Sequence, residues 1–166
     1  MDFKMATWNI RGMNTSERKK EVKKFFNEEK LHLCAVIETH IKYAKIKKVA
    51  DFVYGNWEYV TNGENNKKGC RIMVGWDPNM IQVWMLGKEK QCMLFLVETL
   101  DKKMKFFYTI VYASNSGHER KRLWHSLGVH RQVVNGISWV IIKGILTVNL
   151  KCIMKLKMVA LYLRLI

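Results

Sequence analysis

The sequence contains a single proline, no C-x-x-C pair and no acidic residue after Glu119. With 49% hydrophobic and 11% aromatic residues, this scarcity of proline excludes a disordered linker or a low-complexity tract. No apolar stretch approaches the roughly 20 residues that span a bilayer, and the first ten residues lack the apolar block of a signal peptide. We therefore expect a folded domain of 166 residues that is neither secreted nor inserted in a membrane.

The cysteines and histidines show no metal-binding spacing. The four cysteines are widely scattered, which favours buried free thiols in a reducing, intracellular compartment over a zinc site. His118, His125 and His130 are seven and five residues apart, so no two share a helix face at the i, i+4 spacing that metal ligands use. His40 is predicted to be exposed. The sequence thus offers no histidine with an evident chemical role.

The charge is strongly one-sided, because 29 Lys and Arg residues stand against 14 Asp and Glu residues and give a net charge of +15. Such an excess favours polyanionic partners, chiefly nucleic acid, through release of counterions. Two lysine-rich helices would supply phosphate contacts, or else would be solvated surfaces. Their lysines are Lys19, Lys20, Lys23 and Lys24 on the first, and Lys42, Lys45, Lys47 and Lys48 on the second.

The hydrophobic pattern predicts strands at 3–10 and 31–39, and helices at 15–30 and 41–54. Alternation of strand and helix predicts parallel pairing of the first two strands. Asn14, three residues before Glu17, is predicted to cap the first helix. Antiparallel strands, a helix and a last strand are predicted to follow, in an α/β fold with a mixed sheet or two stacked sheets. Their ranges are 57–61, 70–76, 81–86, 92–100 and 105–113, then the helix from 117 to about 130, then the strand beginning at 139.

Polar side chains stand at the ends of three predicted strands. Asn9 ends the first strand, Glu38 ends the second, and Tyr112 and Asn115 end a third. Hydrolysis of a phosphodiester requires carboxylates that hold a hard divalent cation and a base that activates water. Since α/β folds place ligand sites at strand ends, these residues form a candidate site. The alternative is that each merely marks a solvated strand end.

Five motifs, in order, resemble the endonuclease/exonuclease/phosphatase superfamily: TWNIRGMN, AVIETH, KGCRIMVGWD, VYASN and RKRLW. The resemblance runs from about residue 3 to 152 and is nearest to the endonuclease domain of plant LINE-type (non-LTR) retrotransposon polyproteins. It implies a four-layer α/β sandwich of the deoxyribonuclease-I-like kind, with two facing sheets flanked by helices. It also implies Mg²⁺-dependent nicking of DNA to prime reverse transcription, with DNA as the ancestral substrate.

The resemblance assigns roles to the candidate residues. Asn9 would orient metal and phosphate, and Glu38 would bind Mg²⁺. Tyr112 and Asn115 would contact the scissile phosphate, while Arg11 would line the path of the DNA. A soluble phosphomonoesterase of the same superfamily is disfavoured, because WNIRG, VYASN and RKRLW look like the retroelement branch.

The chain departs from the family at its G-D-F-N motif, which here reads G-I-L-T. Ile145 stands in place of the Asp, and Thr147 in place of the Asn. Loss of one base from codons for Asp-Phe-Asn yields Ile-Leu-Thr, so we hypothesise a compensated frameshift, which the genomic sequence over these codons tests. Residues 1–150 are then the N-terminal part of the domain, and 151–166 a non-homologous, frameshifted tail.

These departures predict a degenerate remnant. The family's second half, with its Asp-His general base, is expected to be missing, so the sandwich would be partial. Glu38 alone would bind Mg²⁺ weakly or not at all, and the chain would be inactive; the alternative is a non-catalytic, basic nucleic-acid-binding fragment. We also expect the inner face of the first sheet to lack its partner layer and to expose an apolar surface prone to aggregation.

Overall fold

The apolar runs of the sequence form strands that collect into two sheets. The computed structural model describes residues 3–65, 69–143 and 151–156. Within these ranges the strands are β1 (Phe3–Asn9), β2 (Leu33–Ile41), β3 (Glu58–Thr61), β4 (Cys70–Trp76), β5 (Ile81–Lys88), β6 (Cys92–Thr99), β7 (Lys105–Val111), β8 (Trp139–Lys143) and β9 (Lys151–Leu156). The helices are α1 (Ser16–Glu29), α2 (Ile46–Tyr54) and α3 (Gly117–Val134).

The first sheet has the strand order β3-β4-β2-β1-β9. β1 and β2 run parallel, with Ala6 opposite Cys34, which confirms the predicted pairing. This pairing follows from α1, because a crossover connection of this length returns the chain in the same direction. β9 lies antiparallel to β1, a pairing that the sequence analysis did not predict.

The second sheet has the order β5-β6-β7-β8. Its first three strands form the predicted antiparallel meander, and β8 lies parallel to β7 after the crossover through α3. The chain passes from one sheet to the other between Trp76 and Ile81. A tight turn makes this passage, in which the backbone N–H of Met80 donates to the carbonyl of Asp77 at 3.1 Å. The strands thus form two stacked sheets rather than one mixed sheet.

The inner faces of the two sheets pack against each other and form the largest apolar layer. Met5, Ile37 and Val74 from the first sheet meet Phe95 and Ile110 from the second, all fully buried. The expectation of an exposed inner face is therefore wrong, because residues 81–143 already supply the facing sheet. The first sheet thus has its partner layer within the described residues.

Helices cover both outer faces and complete four layers. α1 and α2 pack on the first sheet through Phe25, Phe26 and Val53, and α3 packs on the second through Leu123 and Val134. This is the predicted α/β sandwich of the deoxyribonuclease-I-like kind. None of the helices in the described residues is both long and apolar enough to cross a membrane.

Local details differ from the sequence prediction at the helix starts. α1 is capped by Thr15 rather than by Asn14: the Thr15 side chain accepts a hydrogen bond from the backbone N–H of Arg18 at 3.3 Å. The Asn14 side chain instead donates to the carbonyl of His40. α2 begins at Ile46, after one 3-10 turn over 43–45. Three of the cysteines are buried free thiols, as predicted: Cys34, Cys70 and Cys92.

The inter-sheet core should dominate the stability of the domain. Phe95 is fully buried between the sheets, so Phe95→Ala should lower the free energy of unfolding by about 3–5 kcal/mol, from lost burial and the cavity left behind. Gln82→Ala, at an exposed position of the neighbouring strand β5, should change it by less than about 0.5 kcal/mol. Urea unfolding followed by circular dichroism measures both; equal effects would contradict the central role of this layer.

Candidate active site

The parallel strands β1 and β2 bring Asn9 and Glu38 together at one edge of the first sheet. Asn9 lies opposite Ile37 in the strand register, so the next residue of β2, Glu38, reaches the same edge. Asn9 Nδ2 donates to Glu38 Oε1 at 3.2 Å. Asn9 is 2% exposed and Glu38 is 8% exposed. Glu38 thus provides a buried carboxylate whose orientation is fixed by the Asn9 amide.

The backbone around Glu38 is strained. Glu38 has a φ of 57° and His40 a φ of 55°, in the left-handed region that costs a non-glycine residue about 1–3 kcal/mol. The pairing of β2 with β4 shifts register between Ile37 and Ile41, which is a β-bulge. Two hydrogen bonds from the loop after β1 hold this segment: Gly12 N–H to Glu38 O at 2.7 Å, and Met13 N–H to Thr39 O at 2.8 Å. Bulges commonly redirect side chains at functional sites.

Arg71 links the first sheet to the second beside this pair. Its guanidinium contacts both ring nitrogens of His40 and lies over the ring of Tyr112, with 5.6 Å to the centroid. Burial lowers the pKa of His40 and the charge of Arg71 lowers it further, whereas Glu38 raises it. His40 is half-buried, so the prediction that it is exposed is wrong. The four side chains of Glu38, His40, Arg71 and Tyr112 share one electrostatic environment.

Burial also raises the pKa of the half-buried Tyr112 phenol; Arg71 opposes this shift, while the carboxylates of Glu38 and Glu119 add to it. No role for Arg71 was predicted from the sequence. A signal was present, because Arg71 is the only charged residue in the otherwise apolar run CRIMVGW. A cation within a buried strand generally has a partner or a function.

A cleft of about 430 Å³ opens beside Tyr112. Tyr112 and Asn115 both line it, so the structure places these two predicted residues together. The Asn115 side chain is exposed, while its carbonyl accepts a hydrogen bond from Arg120 Nη1 at 2.7 Å. The other residues of the lining are Arg71, Lys90, Gln91, Ser114, Ser116 and Glu119. The predicted Ile145 and Thr147 positions lie outside the described residues.

Charges within the cleft are partly paired. The Glu119 carboxylate accepts from Lys90 Nζ and from Ser114 Oγ, so it neutralises one of the cations in the lining. Gln91 Nε2 donates to the carbonyl of Glu119 at 2.7 Å and joins the β5–β6 turn to the start of α3. The cleft combines cationic, amide and hydroxyl groups, which are the groups that bind phosphate oxygens.

The predicted basic residues lie outside this cleft. Arg11 is exposed in the loop after β1, with a φ of 53°. On α1, Lys19 is half-buried and Lys20 is exposed. Lys23 Nζ lies 4.9 Å from the centroid of the Phe52 ring, and Lys24 forms an ion pair with Glu28 at 3.5 Å. The lysine run is therefore a helix surface with some of its charges engaged locally.

The donor set at Glu38 fits Mg²⁺ in kind, because Mg²⁺ binds oxygen ligands and retains several waters alongside one or two carboxylates. Glu38 supplies a single carboxylate, held in place by Asn9. Among the described residues, no further Asp, Glu, His or Cys forms a close group of three with it. The site as described would hold the ion through one charged ligand.

Comparison with solved structures identifies the architecture. An endonuclease/exonuclease/phosphatase family protein from Bacteroides thetaiotaomicron matches with a TM-score of 0.64 and 11% identity, over 86% of this chain and 63% of that one. The endonuclease domain of TRAS1, a telomere-specific non-LTR retrotransposon, matches with a TM-score of 0.66 and 8% identity, over 86% and 60%. The chain has the endonuclease/exonuclease/phosphatase fold.

D. rerio TDP2 in complex with a single-strand DNA product shares this endonuclease/exonuclease/phosphatase fold, with a TM-score of 0.56 and 9% identity over 86% of this chain and 59% of that one. No protein-family profile and no curated protein matches the sequence. The chain spans less than two thirds of the length of these three structures.

The opposing influences on His40 give a test of the site's electrostatics. By NMR, its pKa should lie below the ordinary value of 6.5. Arg71→Met should raise this pKa by removing a neighbouring cation, and Glu38→Gln should lower it by removing a neighbouring anion. Lys103→Met, in the β6–β7 turn, should leave it unchanged. Shifts of the same sign in the first two variants would contradict the geometry.

Burial of histidine side chains also makes the stability of the domain depend on pH. The pKa values of His32, His40 and His130 are all lowered in the folded state, chiefly by burial. Below pH 6.5, the unfolded value, the unfolded chain therefore binds more protons, so the stability is fully present above that pH and is lost as the pH falls from there through the lowered pKa values of the folded state.

Proposed function

We propose that this chain derives from a metal-dependent phosphodiesterase of the retrotransposon endonuclease type, and that it retains nucleic-acid binding while having lost hydrolysis. The observation that carries the proposal is the buried Asn9–Glu38 pair beside the cleft of Tyr112 and Asn115. The pair lies where the parallel pairing of β1 with β2 ends, at Asn9 opposite Ile37, and α/β folds bind ligands beyond the carboxyl ends of parallel strands. A net charge of +15 suits a polyanionic substrate.

Different residues of the chain would bind the metal ion and the phosphate of a phosphodiester. A bound Mg²⁺ would supply Lewis-acid polarisation of the phosphate oxygens and a site for the attacking water. Glu38 would hold that ion, and Asn9 keeps the Glu38 carboxylate in one orientation through its 3.2 Å hydrogen bond. Arg71 presents a cation to the cleft and, with Tyr112 and Asn115, would hold the phosphate.

Loss of hydrolysis follows from the sequence at 145 and 147. The family's Asp and Asn at this motif position the water and the transition-state phosphate, whereas Ile145 and Thr147 offer no carboxylate and no amide. Removing one preorganised polar group from such a site lowers the rate by about 10²–10³. Two such losses remove the chemical step while leaving the binding surface.

Two of the matched structures support a nucleic-acid substrate. One is the endonuclease domain of a non-LTR retrotransposon, and another is complexed with a single strand DNA product. The WNIRG, VYASN and RKRLW motifs give the more specific likeness to the LINE branch. We therefore also propose that the chain belongs to the LINE branch, with DNA as its ancestral substrate and Mg²⁺ as its ancestral cofactor.

Hydrolysis and metal binding can be measured separately. In a supercoiled-plasmid nicking assay with Mg²⁺, the protein should give no more nicked product than the Glu38→Gln variant. With Mn²⁺ as a paramagnetic substitute for Mg²⁺, the protein should bind weakly through Glu38, and Glu38→Gln should abolish this binding because it removes the charged ligand.

Glu98→Gln is the matched control, since Glu98 pairs with Lys105 at the opposite end of the second sheet; it should leave Mn²⁺ binding unchanged. Robust nicking that Glu38→Gln eliminates would overturn the claim of inactivity. Mn²⁺ binding that survives Glu38→Gln would overturn the assignment of the metal ligand.

A second candidate is a non-catalytic nucleic-acid-binding fragment that binds through the lysines of α1 rather than through the cleft, since Lys20 and Lys23 are exposed and Lys19 is half-buried. If Lys19, Lys20 and Lys23 contact phosphates, their triple replacement by Gln should weaken duplex binding and flatten the slope of log K against log salt concentration. Each lost phosphate contact lowers this slope by about 0.9. Fluorescence anisotropy over a series of salt concentrations measures the slope.

The matched control replaces Lys102, Lys103 and Lys105, which are exposed at the far end of β7 from Tyr112. It removes the same charge and should leave the slope nearly unchanged. Equal losses in the two triple variants would show that binding follows net charge rather than the surface of α1.

A further inference from the structure

Three potential metal ligands, two from the β5–β6 turn and one from a distant helix, meet beneath α3. The ligand atoms of Glu89, Cys92 and His130 all lie within 4.8 Å of one another. Cys92 is 1% exposed and His130 is 4% exposed, while Glu89 is exposed. In the part of the chain that the structure describes, no other His, Cys, Asp or Glu side chains form so close a group of three.

The β5–β6 hairpin places two of these ligands side by side. The backbone N–H of Glu89 donates to the carbonyl of Cys92 at 2.9 Å and closes a turn with only Lys90 and Gln91 between them. Residues that face each other across a hairpin project to the same side of the sheet. Both side chains therefore point towards α3.

α3 supplies the third ligand from its buried stripe. Leu123, Ser126, His130 and Val134 are its buried residues, and they recur at helical spacing. The imidazole lies against β5, since a Cβ added at Gly87 would be in van der Waals contact with His130 Nε2, at 3.4 Å.

Neighbouring polar groups orient the ligands. Ser126 Oγ donates to Glu89 Oε2 at 2.5 Å, and Thr109 Oγ1 lies 3.5 Å from His130 Nδ1. Trp139 Nε1 donates to the same Thr109 oxygen at 2.9 Å. Hydrogen bonds that fix the carboxylate and the imidazole are typical of the surroundings of metal ligands. Packing of a core thiol alone requires none of them.

We propose that Glu89, Cys92 and His130 bind a Zn²⁺ ion, with water as the fourth ligand. A thiolate, an imidazole and a carboxylate form a donor set that suits Zn²⁺, whereas Mg²⁺ and Ca²⁺ take oxygen ligands. One thiolate and one carboxylate carry two negative charges, which neutralise the ion. On binding, the thiol proton of Cys92 passes to the buffer.

This site is separate from Glu38 and does not depend on the proposed nuclease ancestry. Its turn, however, also borders the cleft, because Lys90 and Gln91 belong to the lining. A bound ion would fasten this turn to α3 and fix one wall of the cleft. The spacing of cysteines and histidines in the sequence argued against zinc, since His130 is far from Cys92 along the chain and the third ligand is a glutamate.

Cobalt tests the site by spectroscopy. The purified protein, stripped with a chelator, should bind one equivalent of Co²⁺ with a thiolate-to-metal charge-transfer band in the near ultraviolet, and Zn²⁺ should displace it. Cys92→Ser should eliminate this band, because it removes the thiolate. Cys70→Ser, at another buried cysteine, should retain it.

Affinity for Zn²⁺ is then measured by competition with a chromophoric chelator. His130→Gln and Glu89→Gln should each weaken it by about tenfold or more. Glu89 is exposed, so its variant tests the site even if substitution of a buried ligand prevents folding, which circular dichroism would reveal. Absence of the charge-transfer band in the unmodified protein, or unchanged affinity in the Glu89→Gln variant, would overturn the proposal.

Discussion

The contact between the two inner sheet faces is the constraint on which the rest of this structure depends. Apolar side chains of β1, β2 and β4 meet those of β6 and β7 in one fully buried layer. Within it, the hydroxyls of Thr7 and Tyr108 lie 3.1 Å apart and join the sheets by a buried hydrogen bond. Each helix then needs to cover only one outer face, so a short chain completes four layers.

The candidate active site inherits its geometry from that contact. Asn9 and Glu38 belong to the first sheet, whereas Tyr112 follows a strand of the second, and Arg71 reaches from one to the other. Any shift of the sheets would change the separation of metal ligand and phosphate contacts. The strained backbone at Glu38 is tolerated because the loop after β1 holds it by two backbone hydrogen bonds. The inter-sheet packing, the β-bulge in β2 and the loop after β1 together orient the Glu38 carboxylate.

The sequence predicted those parts of the fold that are encoded locally. Apolar periodicity located the helices and the strands β1 to β8, but not β9, and the strand-helix-strand order predicted the parallel pairing of β1 with β2. It did not reveal the β-bulge at Glu38, the contact of Arg71 with Tyr112, or the group under α3, because each depends on residues far apart in sequence. The exposed inner face was predicted wrongly for a related reason: the expected loss of a family segment was equated with the loss of a layer. Asn14 and Thr15 are both good capping residues, and tertiary contacts decided between them.

The two sheets are also nearly consecutive in the chain. β1 to β4 lie in residues 3–76 and β5 to β8 in residues 81–143; of the strands in the described residues, only β9 returns to the first sheet. The short passage at 77–80 is thus a natural cut point for fragment complementation. Two separately produced pieces would each expose the apolar inner face of one sheet. The C-terminal piece would also add β9 as an edge strand paired with β1. The affinity of the two pieces for each other would then measure how strongly the inter-sheet core holds the domain together.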